Sequence, residues 1–154
     1  MNTKNEKTAK KLYQLFNERN LNGLSEIVDA KCVTQDLPSG EQYKGVDGMK
    51  KWLDFWVTTC SDMKASVKVI ATSDTMAVVE GTADGKNDGP VMLPNGQTIK
   101  ATGRKLHMQW VDLIEFKSDR IIGMRSYYDS GSIMTQLGVA QGQQPAKTRR
   151  PTVV

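Results

Sequence analysis

The chain has few of the residues that bind metals or build disulfide frameworks. Its 154 residues include one histidine and two cysteines, Cys32 and Cys60. A single histidine excludes a histidine-rich metal site, and the two cysteines have neither a CxxC spacing nor another metal-ligand spacing. We therefore expect both thiols to be small buried hydrophobes, and we expect neither a metal nor an organic cofactor.

Long apolar runs are also absent. No stretch approaches the roughly 18 consecutive apolar residues of a membrane span. The N-terminal sequence MNTKNEKTAKK lacks the apolar run of a signal peptide. These absences predict a cytoplasmic protein without a membrane partner.

Positive charge is in slight excess, and much of it lies near the C terminus. The formal net charge is +4, and Lys147, Arg149 and Arg150 follow Val139 without any acidic residue. Subtracting these three charges from +4 leaves +1 for the rest of the chain, and no basic stripe is interleaved with aromatic residues. We therefore expect no nucleic-acid partner, a single domain over residues 1–139 and a flexible tail over residues 140–154.

The first part of the chain has the periodicity of amphipathic helices. Apolar residues recur at intervals of three and four in two stripes, which are Ala9, Leu12, Tyr13 and Phe16, and then Met49, Trp52, Leu53 and Trp56. Between the stripes, Leu24, Ile27 and Val28 indicate a second short helix, and a loop with Pro38 and Gly40 follows it. Helices are therefore predicted before any strand.

The second part alternates with the period of β-strands. Residues 63–71 and 76–82 flank a turn-like pair of residues, which predicts a hairpin. Residues 84–97, rich in Gly, Asn, Asp and Pro, are expected to form a loop. Further strands are predicted over residues 98–116, with a bend or bulge near Val111, and over residues 120–129. Helices followed by antiparallel strands predict an α+β fold.

Five segments, in order along the chain, carry a family resemblance. They are LYQLFNERNLNGLSEIV, YKGVDGMKKWLDFW, VEGT, the loop from GP through LPNGQTI to ATGR, and RIIGMRSYYDSGSIMTQLGV. Together they resemble the SnoaL-like polyketide and ester cyclases of the nuclear-transport-factor-2-like superfamily. The resemblance implies a cone-shaped, cystatin-like fold, in which N-terminal helices pack on a strongly curved antiparallel or mixed sheet and enclose a pocket. It also implies a homodimer formed through the outer sheet face.

The last predicted strand ends in a carboxylate. Strict alternation groups one face as Ile121, Gly123, Arg125, Tyr127 and Asp129, and the resemblance directs this face toward the pocket. A carboxylate that loses solvation becomes a weaker acid, which suits it to acid/base catalysis near neutral pH. By resemblance, Asp129 holds the position of a functional aspartate in SnoaL-like cyclases. The alternative is that Asp129 caps a helical turn that begins at Ser130.

A second carboxylate, Asp112, interrupts the apolar segment HMQWVDLIEF. Its burial would be costly without a partner, and Arg125 on the neighbouring strand is the candidate. A cluster of Asp112, Arg125 and Asp129 would resemble the aspartate, arginine and aspartate of limonene-epoxide-hydrolase-like enzymes. However, the arginine expected two residues before the strand aspartate is Trp110 here, which weakens the hydrolase interpretation.

His107, the single histidine, could act as a proton shuttle if it faced the cavity. Strand phase instead groups His107 with Lys105 and Gln109 on the more polar face, where it would have a structural role. The histidine of the family's frequent GTH.GP sequence is also absent, because this chain has GKNDGP at that place.

Aromatic residues are the candidates for binding a ligand. We select five as substrate-binding residues, namely Tyr13, Phe16, Trp56, Trp110 and Tyr127. A plain core role is the alternative, and it is favoured for Trp52 and Trp56 because helical stripes usually pack. Buried tyrosine hydroxyls need partners, which makes the tyrosines better ligand candidates.

Two functions follow from these features. The first is a cofactor-independent cyclase or isomerase that uses Asp129, with Asp112, Arg125 and His107 as further catalytic candidates, on a small hydrophobic carbonyl compound. The second is a non-catalytic module for small-molecule binding or dimerisation, and a limonene-epoxide-hydrolase-like enzyme is a further alternative. What distinguishes them is whether Asp129 faces the cavity beside a proton donor.

Overall fold

Helices and strands follow one another nearly as the periodicity predicts. The computed structural model describes residues 2–139, so the predicted tail over residues 140–154 lies outside the described residues. In chain order the elements are α1 (Thr3–Asn17), a 3₁₀ helix (Leu21–Glu26), β1 (Val28–Asp36), β2 (Glu41–Lys44), α2 (Gly45–Thr59), β3 (Lys64–Thr72), β4 (Met76–Lys86), β5 (Val91–Met92), β6 (Thr98–Ile99), β7 (Lys105–Lys117), β8 (Arg120–Tyr128) and α3 (Ser130–Leu137).

The two long helices α1 and α2 match their predicted apolar stripes. The Asn2 side chain caps α1 by accepting from the backbone N–H groups of Lys4 and Asn5, which satisfies two of the donors that a helix start leaves free. The predicted second short helix is only partly correct, because the 3₁₀ helix ends at Glu26 and Val28 already begins β1. Neither β1 nor β2 was predicted.

The main sheet has six strands in the order β2-β1-β8-β7-β4-β3 among the described residues. β1 runs parallel to β8, and the remaining neighbours are antiparallel, so the sheet is mixed. The predicted hairpin is confirmed as β3 and β4. The predicted loop is interrupted by β5, which pairs with β6. An α+β fold is therefore confirmed.

Register shifts interrupt the ladders at three places. They lie between Val28 and Val33 in β1, between Val69 and Ala71 in β3, and beside Ile122 in β8. The bulge predicted near Val111 is wrong, since the pairing of β4 with β7 continues without a shift from Lys105 to Glu115. Bulges bend a strand and change its twist, so these shifts curve the sheet around the helices.

The helices cover one face of this curved sheet, which we call the inner face. α1 packs against β3 and β4, while α2 packs against β1 and β2. Leu12, Met49 and Ile114 are among the side chains that are at most 1% exposed in the core between the layers. Among residues 2–139, no helix is both long and apolar enough to cross a membrane.

Candidate functional site

A cavity of about 50 Å³ lies between the two long helices and the inner face of the sheet. Six aromatic residues form much of its wall, namely Tyr13, Phe16, Trp52, Trp56, Trp110 and Tyr128. Asp112 and Ser126 are other polar residues of the lining, and none of the lining residues is Lys, Arg or His. An apolar wall with a few polar groups is the lining of a small-molecule site, and the volume is below the roughly 300–1,000 Å³ that such sites usually have.

Asp112 is the carboxylate of this cavity. It lies on β7, is 1% exposed, and its Oδ2 accepts a hydrogen bond of 2.7 Å from the Tyr13 hydroxyl. Its Oδ1 has no hydrogen-bond partner among the described residues. Burial raises the pKa of Asp112 to about 6, while the nearby donors of Tyr13, Ser126 and Trp110 act to lower it. Of these donors only the Tyr13 hydroxyl has hydrogen-bond geometry.

A second buried carboxylate, Asp36, lies at the end of β1 and is 5% exposed. Its Oδ2 accepts from Trp52 Nε1 at 3.0 Å and from the Tyr128 hydroxyl at 2.8 Å. Its Oδ1 accepts from the same hydroxyl at 2.9 Å and from the backbone N–H of Ser39 at 3.2 Å. Asp36 was not among the predicted site residues, because β1 was not predicted and LPSG, which follows Asp36, has the composition of a turn.

The two carboxylates lie in one row across the sheet. Ser126 on β8 is the register partner of Asp36 on β1 and also of Asp112 on β7. Because neighbouring strands lie about 4.8 Å apart, the Cα atoms of the two aspartates are separated by about 10 Å. Neither carboxylate forms a salt bridge within the described part of the chain.

The tyrosine partners remain protonated donors near neutral pH. Burial, followed by the charge of Asp112, raises the pKa of Tyr13 well above its ordinary value. Burial, followed by the charge of Asp36, likewise raises the pKa of Tyr128. Each hydroxyl therefore donates to its carboxylate and does not compete with it for protons.

Sequence comparison identifies the family. The profile of the SnoaL-like polyketide cyclases matches residues 6–137. The chain belongs to this family. A search of curated proteins finds no match.

Several solved structures share the fold of this chain. A proposed SnoaL-like polyketide cyclase from Jannaschia sp. CCS1 is 17% identical, with 90% of this chain and 94% of that chain covered and a TM-score of 0.79. IdmH, a proposed polyketide cyclase from Streptomyces antibioticus, is 22% identical, with coverages of 88% and 99% and a TM-score of 0.72. A Catenulispora acidiphila DSM 44928 protein with a ketosteroid isomerase-like fold, in complex with trimethylamine, is 14% identical, with coverages of 90% and 97% and a TM-score of 0.71. At these identities the likeness shows the fold alone.

Asp129, the residue favoured by the family resemblance, does not line the cavity. It is exposed, and it caps α3 by accepting from the backbone N–H of Ser132 at 3.0 Å. The expectation that Asp129 faces the pocket is wrong. Ile122 of β8 has no register partner on β7, so the alternation of inward and outward side chains reverses after this residue. The cavity-lining residues of β8 are Met124, Ser126 and Tyr128.

The same reversal separates Arg125 from Asp112. Arg125 lies on the outer face of the sheet, where its Nη2 is 3.6 Å from Glu115 Oε1. The residue paired with Asp112 is Ser126. The expected cluster of Asp112, Arg125 and Asp129 is therefore not assembled, and nothing in the geometry of this site supports the limonene-epoxide-hydrolase-like alternative.

His107 also lies on the outer face, as the phase of β7 indicates. Its Nδ1 is 2.7 Å from Asp84 Oδ1, and both side chains are more than half exposed. Gln136 of α3 hydrogen-bonds both the backbone N–H and the C=O of His107, which holds the helix against β7. His107 is thus away from the cavity and from Asp112.

Four of the five predicted ligand-binding aromatics line the cavity, namely Tyr13, Phe16, Trp56 and Trp110. Tyr127 does not, because it lies on the outer face and is 42% exposed. Trp110 lies directly over Gly81 on β4, where an added Cβ would be only 2.3 Å from the indole ring. Gly81 therefore allows the indole to lie against the sheet.

The described residues offer no evident metal ligands. Within residues 2–139, no group of three or more His, Cys, Asp and Glu side chains could hold a metal ion. Cys32 and Cys60 are both buried and unpaired. Burial raises the pKa of each thiol to about 11, so both are protonated at neutral pH and are poor nucleophiles.

Proposed function

We propose that this protein is a cofactor-independent cyclase or isomerase that uses Asp112 as an acid/base on a small hydrophobic carbonyl compound. The observation that carries the proposal is the buried carboxylate of Asp112, a residue that lines an apolar cavity and has one oxygen without a hydrogen-bond partner among the described residues. A pKa of about 6 leaves Asp112 mostly ionised at pH 7 and still basic enough to accept a proton. Membership of a polyketide cyclase family supports the same chemistry.

The proposed reaction begins with proton transfer from carbon to Asp112. The Asp112 carboxylate removes a proton from the carbon next to a carbonyl group, and the C–H electron pair moves to form an enolate. Asp112 becomes a neutral carboxylic acid, still hydrogen-bonded to Tyr13. Return of the proton at a different carbon completes an isomerisation. In a cyclisation the enolate carbon attacks a second carbonyl, and Asp112 protonates the new alkoxide.

Hydrogen–deuterium exchange tests the first step without knowledge of the natural substrate. The probe is 2-tetralone, an apolar bicyclic ketone with acidic α-protons, followed by NMR in D₂O at pD 7.5. We expect exchange above the buffer rate in wild type and a decrease on the order of 100-fold in Asp112→Asn.

The control variant is Asp129→Asn, because Asp129 lies outside the cavity. It should exchange the probe within twofold of the wild-type rate. A wild-type rate in Asp112→Asn would contradict the role of Asp112. Binding of 2-tetralone without exchange in wild type would instead support a non-catalytic small-molecule-binding module.

We also propose a homodimer formed through the outer face of the sheet. Val111 and Tyr127 are register partners there, and they are 37% and 42% exposed. Adjacent exposed apolar side chains on a sheet favour burial against another surface. Light scattering after gel filtration should give a dimer for wild type and a monomer for Val111→Glu. Met92→Glu, at a residue that is 64% exposed on β5, should remain a dimer; a dimeric Val111→Glu would contradict this interface.

A further inference from the structure

We infer that Asn95 is a site of spontaneous deamidation, at which the chain acquires an isoaspartate. Asn95 and Gly96 lie in the turn that joins β5 to β6. The inference is independent of the function proposed for the cavity, because no lining residue of the cavity belongs to this turn. It is carried by the chemistry of an Asn-Gly pair and by the difference between the two such pairs of this chain.

The reaction needs only an asparagine, the next backbone nitrogen and water. The nitrogen of Gly96 loses its proton and attacks Asn95 Cγ, a C–N bond forms, and Nδ2 departs with a proton as ammonia. Water then opens the cyclic succinimide at either carbonyl, which gives aspartate or isoaspartate. Glycine favours the attack, because it has no Cβ beside the nitrogen and its backbone rotates freely.

The turn at Asn95 is open to solvent. Residues 94–97 are all exposed. The N–H of Leu93 donates to the C=O of Gln97 at 2.8 Å, and the N–H of Gly96 donates to the C=O of Leu93 at 2.9 Å. Asn95 Oδ1 accepts from the backbone N–H of Gln97 at 3.0 Å. All of these bonds join residues of the turn itself, where water can replace each of them at a small net cost.

Opening of this turn leaves the core in place. β5 and β6 have two residues each, and an isolated two-stranded hairpin is marginally stable in water. Val91, which is 3% exposed, lies at the start of β5 and away from the turn. Local openings that expose little apolar surface have a low free energy. Asn95 can therefore rotate into the geometry of attack while the protein stays folded.

The second Asn-Gly pair, Asn22 and Gly23, is held by the core. It lies in the 3₁₀ helix, in which Leu21 and Leu24 are 6% and 0% exposed. Gly23 is itself buried, and a Cβ there would be only 2.6 Å from the side chain of Leu15. Rotation at this pair therefore requires the 3₁₀ helix to separate from α1, which exposes apolar surface. We expect Asn22 to be protected in the folded protein.

The two pairs provide an internal comparison in one sample. Wild type is incubated at pH 8 and 37 °C, and tandem mass spectrometry locates deamidation in the tryptic peptides 20–31 and 87–100. We expect Asn95 to deamidate at least about tenfold faster than Asn22 in the folded protein. In guanidinium chloride the two rates should agree within about twofold, because neither pair is then protected. Isoaspartate is identified by methyl transfer from S-adenosylmethionine with a protein isoaspartate methyltransferase.

Gly96→Ala tests the role of the backbone nitrogen. Its Cβ hinders the attack, so deamidation of Asn95 should slow by about tenfold. Gly40→Ala is the matched control, since Gly40 and Gly96 have φ angles of 76° and 82°, and apart from chain neighbours no described atom lies within 4 Å of a Cβ added at either. This control should leave the rate at Asn95 unchanged. Equal rates at Asn95 and Asn22 in the folded protein would overturn the inference, as would modification of Asn95 only in guanidinium chloride or an unchanged rate in Gly96→Ala.

Discussion

Asp36 and Asp112 occupy the same row of the sheet, yet they are bound by very different numbers of donors. Asp36 is bound by three donors, with the single hydroxyl hydrogen of Tyr128 shared between its two oxygens, whereas Asp112 is bound by one donor and its Oδ1 by none. Both are nearly completely buried. Burial by itself therefore does not make a carboxylate available for chemistry. A carboxylate bound by several donors joins elements together, and one with an unbound oxygen retains the capacity to accept a further hydrogen bond.

The largest effect on stability is expected when Asp36, the structural member of this pair, is replaced. Asp36→Ala should lower the free energy of unfolding by about 4 kcal/mol, because it leaves the Trp52 N–H and the Tyr128 hydroxyl buried without an acceptor. Urea denaturation followed by circular dichroism measures the change. Asp54→Ala, at an exposed residue of α2, should change it by no more than about 0.5 kcal/mol. Equal effects of the two substitutions would refute a structural role for Asp36.

Replacement of Asp112 is expected to raise the free energy of unfolding, the opposite of the effect at Asp36. The pKa of Asp112 in the folded protein is about 6, compared with an ordinary value of 3.8. Between these values the folded state binds more protons than the unfolded state, so stability decreases as pH rises from about 4 to above 6. Asp112→Asn avoids this loss and should be more stable than wild type by on the order of 3 kcal/mol at pH 8.

The pH dependence supplies the control for that prediction. Below about pH 4 both side chains are neutral, so the difference between Asp112→Asn and wild type should vanish. Urea denaturation at pH 3.5 and pH 8 measures both limits. A variant that is less stable than wild type at pH 8 would show that Asp112 is compensated by a partner.

A smaller effect is expected when the one donor to Asp112 is removed. Tyr13→Phe removes the hydroxyl that acts to lower the pKa of Asp112, so this pKa should rise above about 6. The free energy of unfolding at pH 8 should fall by about 1–2 kcal/mol. Carboxylate titration by NMR measures the pKa, with Tyr127→Phe on the outer face as the matched control. An unchanged or lower midpoint in Tyr13→Phe would contradict this assignment.

The smallest effect on stability is expected when Asp129, the surface carboxylate, is replaced. Asp129→Ala removes the cap of α3 and should cost about 1 kcal/mol, whereas Asp129→Asn retains a capping side chain and should be nearly neutral. Thermal denaturation compares the two variants. If Asp129→Asn lost as much stability as Asp129→Ala, the charge of Asp129 and not its capping geometry would be responsible.

The sequence predicted the elements more successfully than the faces of the strands. The stripes of α1 and α2 and the hairpin of β3 with β4 have strong local periodicity, and their predictions are confirmed. Strand β1 was missed because charged and small residues, VDAKCVTQD, weaken its alternation. Asp36 was missed with it. Its role depends on Trp52 and Tyr128, which lie far from it in the chain and meet it only in the folded protein.

The cavity was predicted well on the helices and poorly on β8. The aromatic residues of α1 and α2 follow from helical phase, which no irregularity interrupts. Asp112 was selected from its place in an apolar strand, but its expected partner Arg125 lies on the other face. A bulge changes the phase of all following residues, and the one sequence signal for it, Gly123 directly after Ile122, was not used in the prediction.

The unpaired residue Ile122 has a consequence for the composition of the cavity. If β8 alternated regularly throughout, the same sequence would place Arg125, Tyr127 and Asp129 on the inner face. Ser126 and Tyr128 would then lie on the outer face. The cavity beside Asp112 would then contain the guanidinium group of Arg125 without any substitution. In this chain, therefore, the position of the bulge decides which side chains of β8 reach the cavity, as much as the identity of those side chains does.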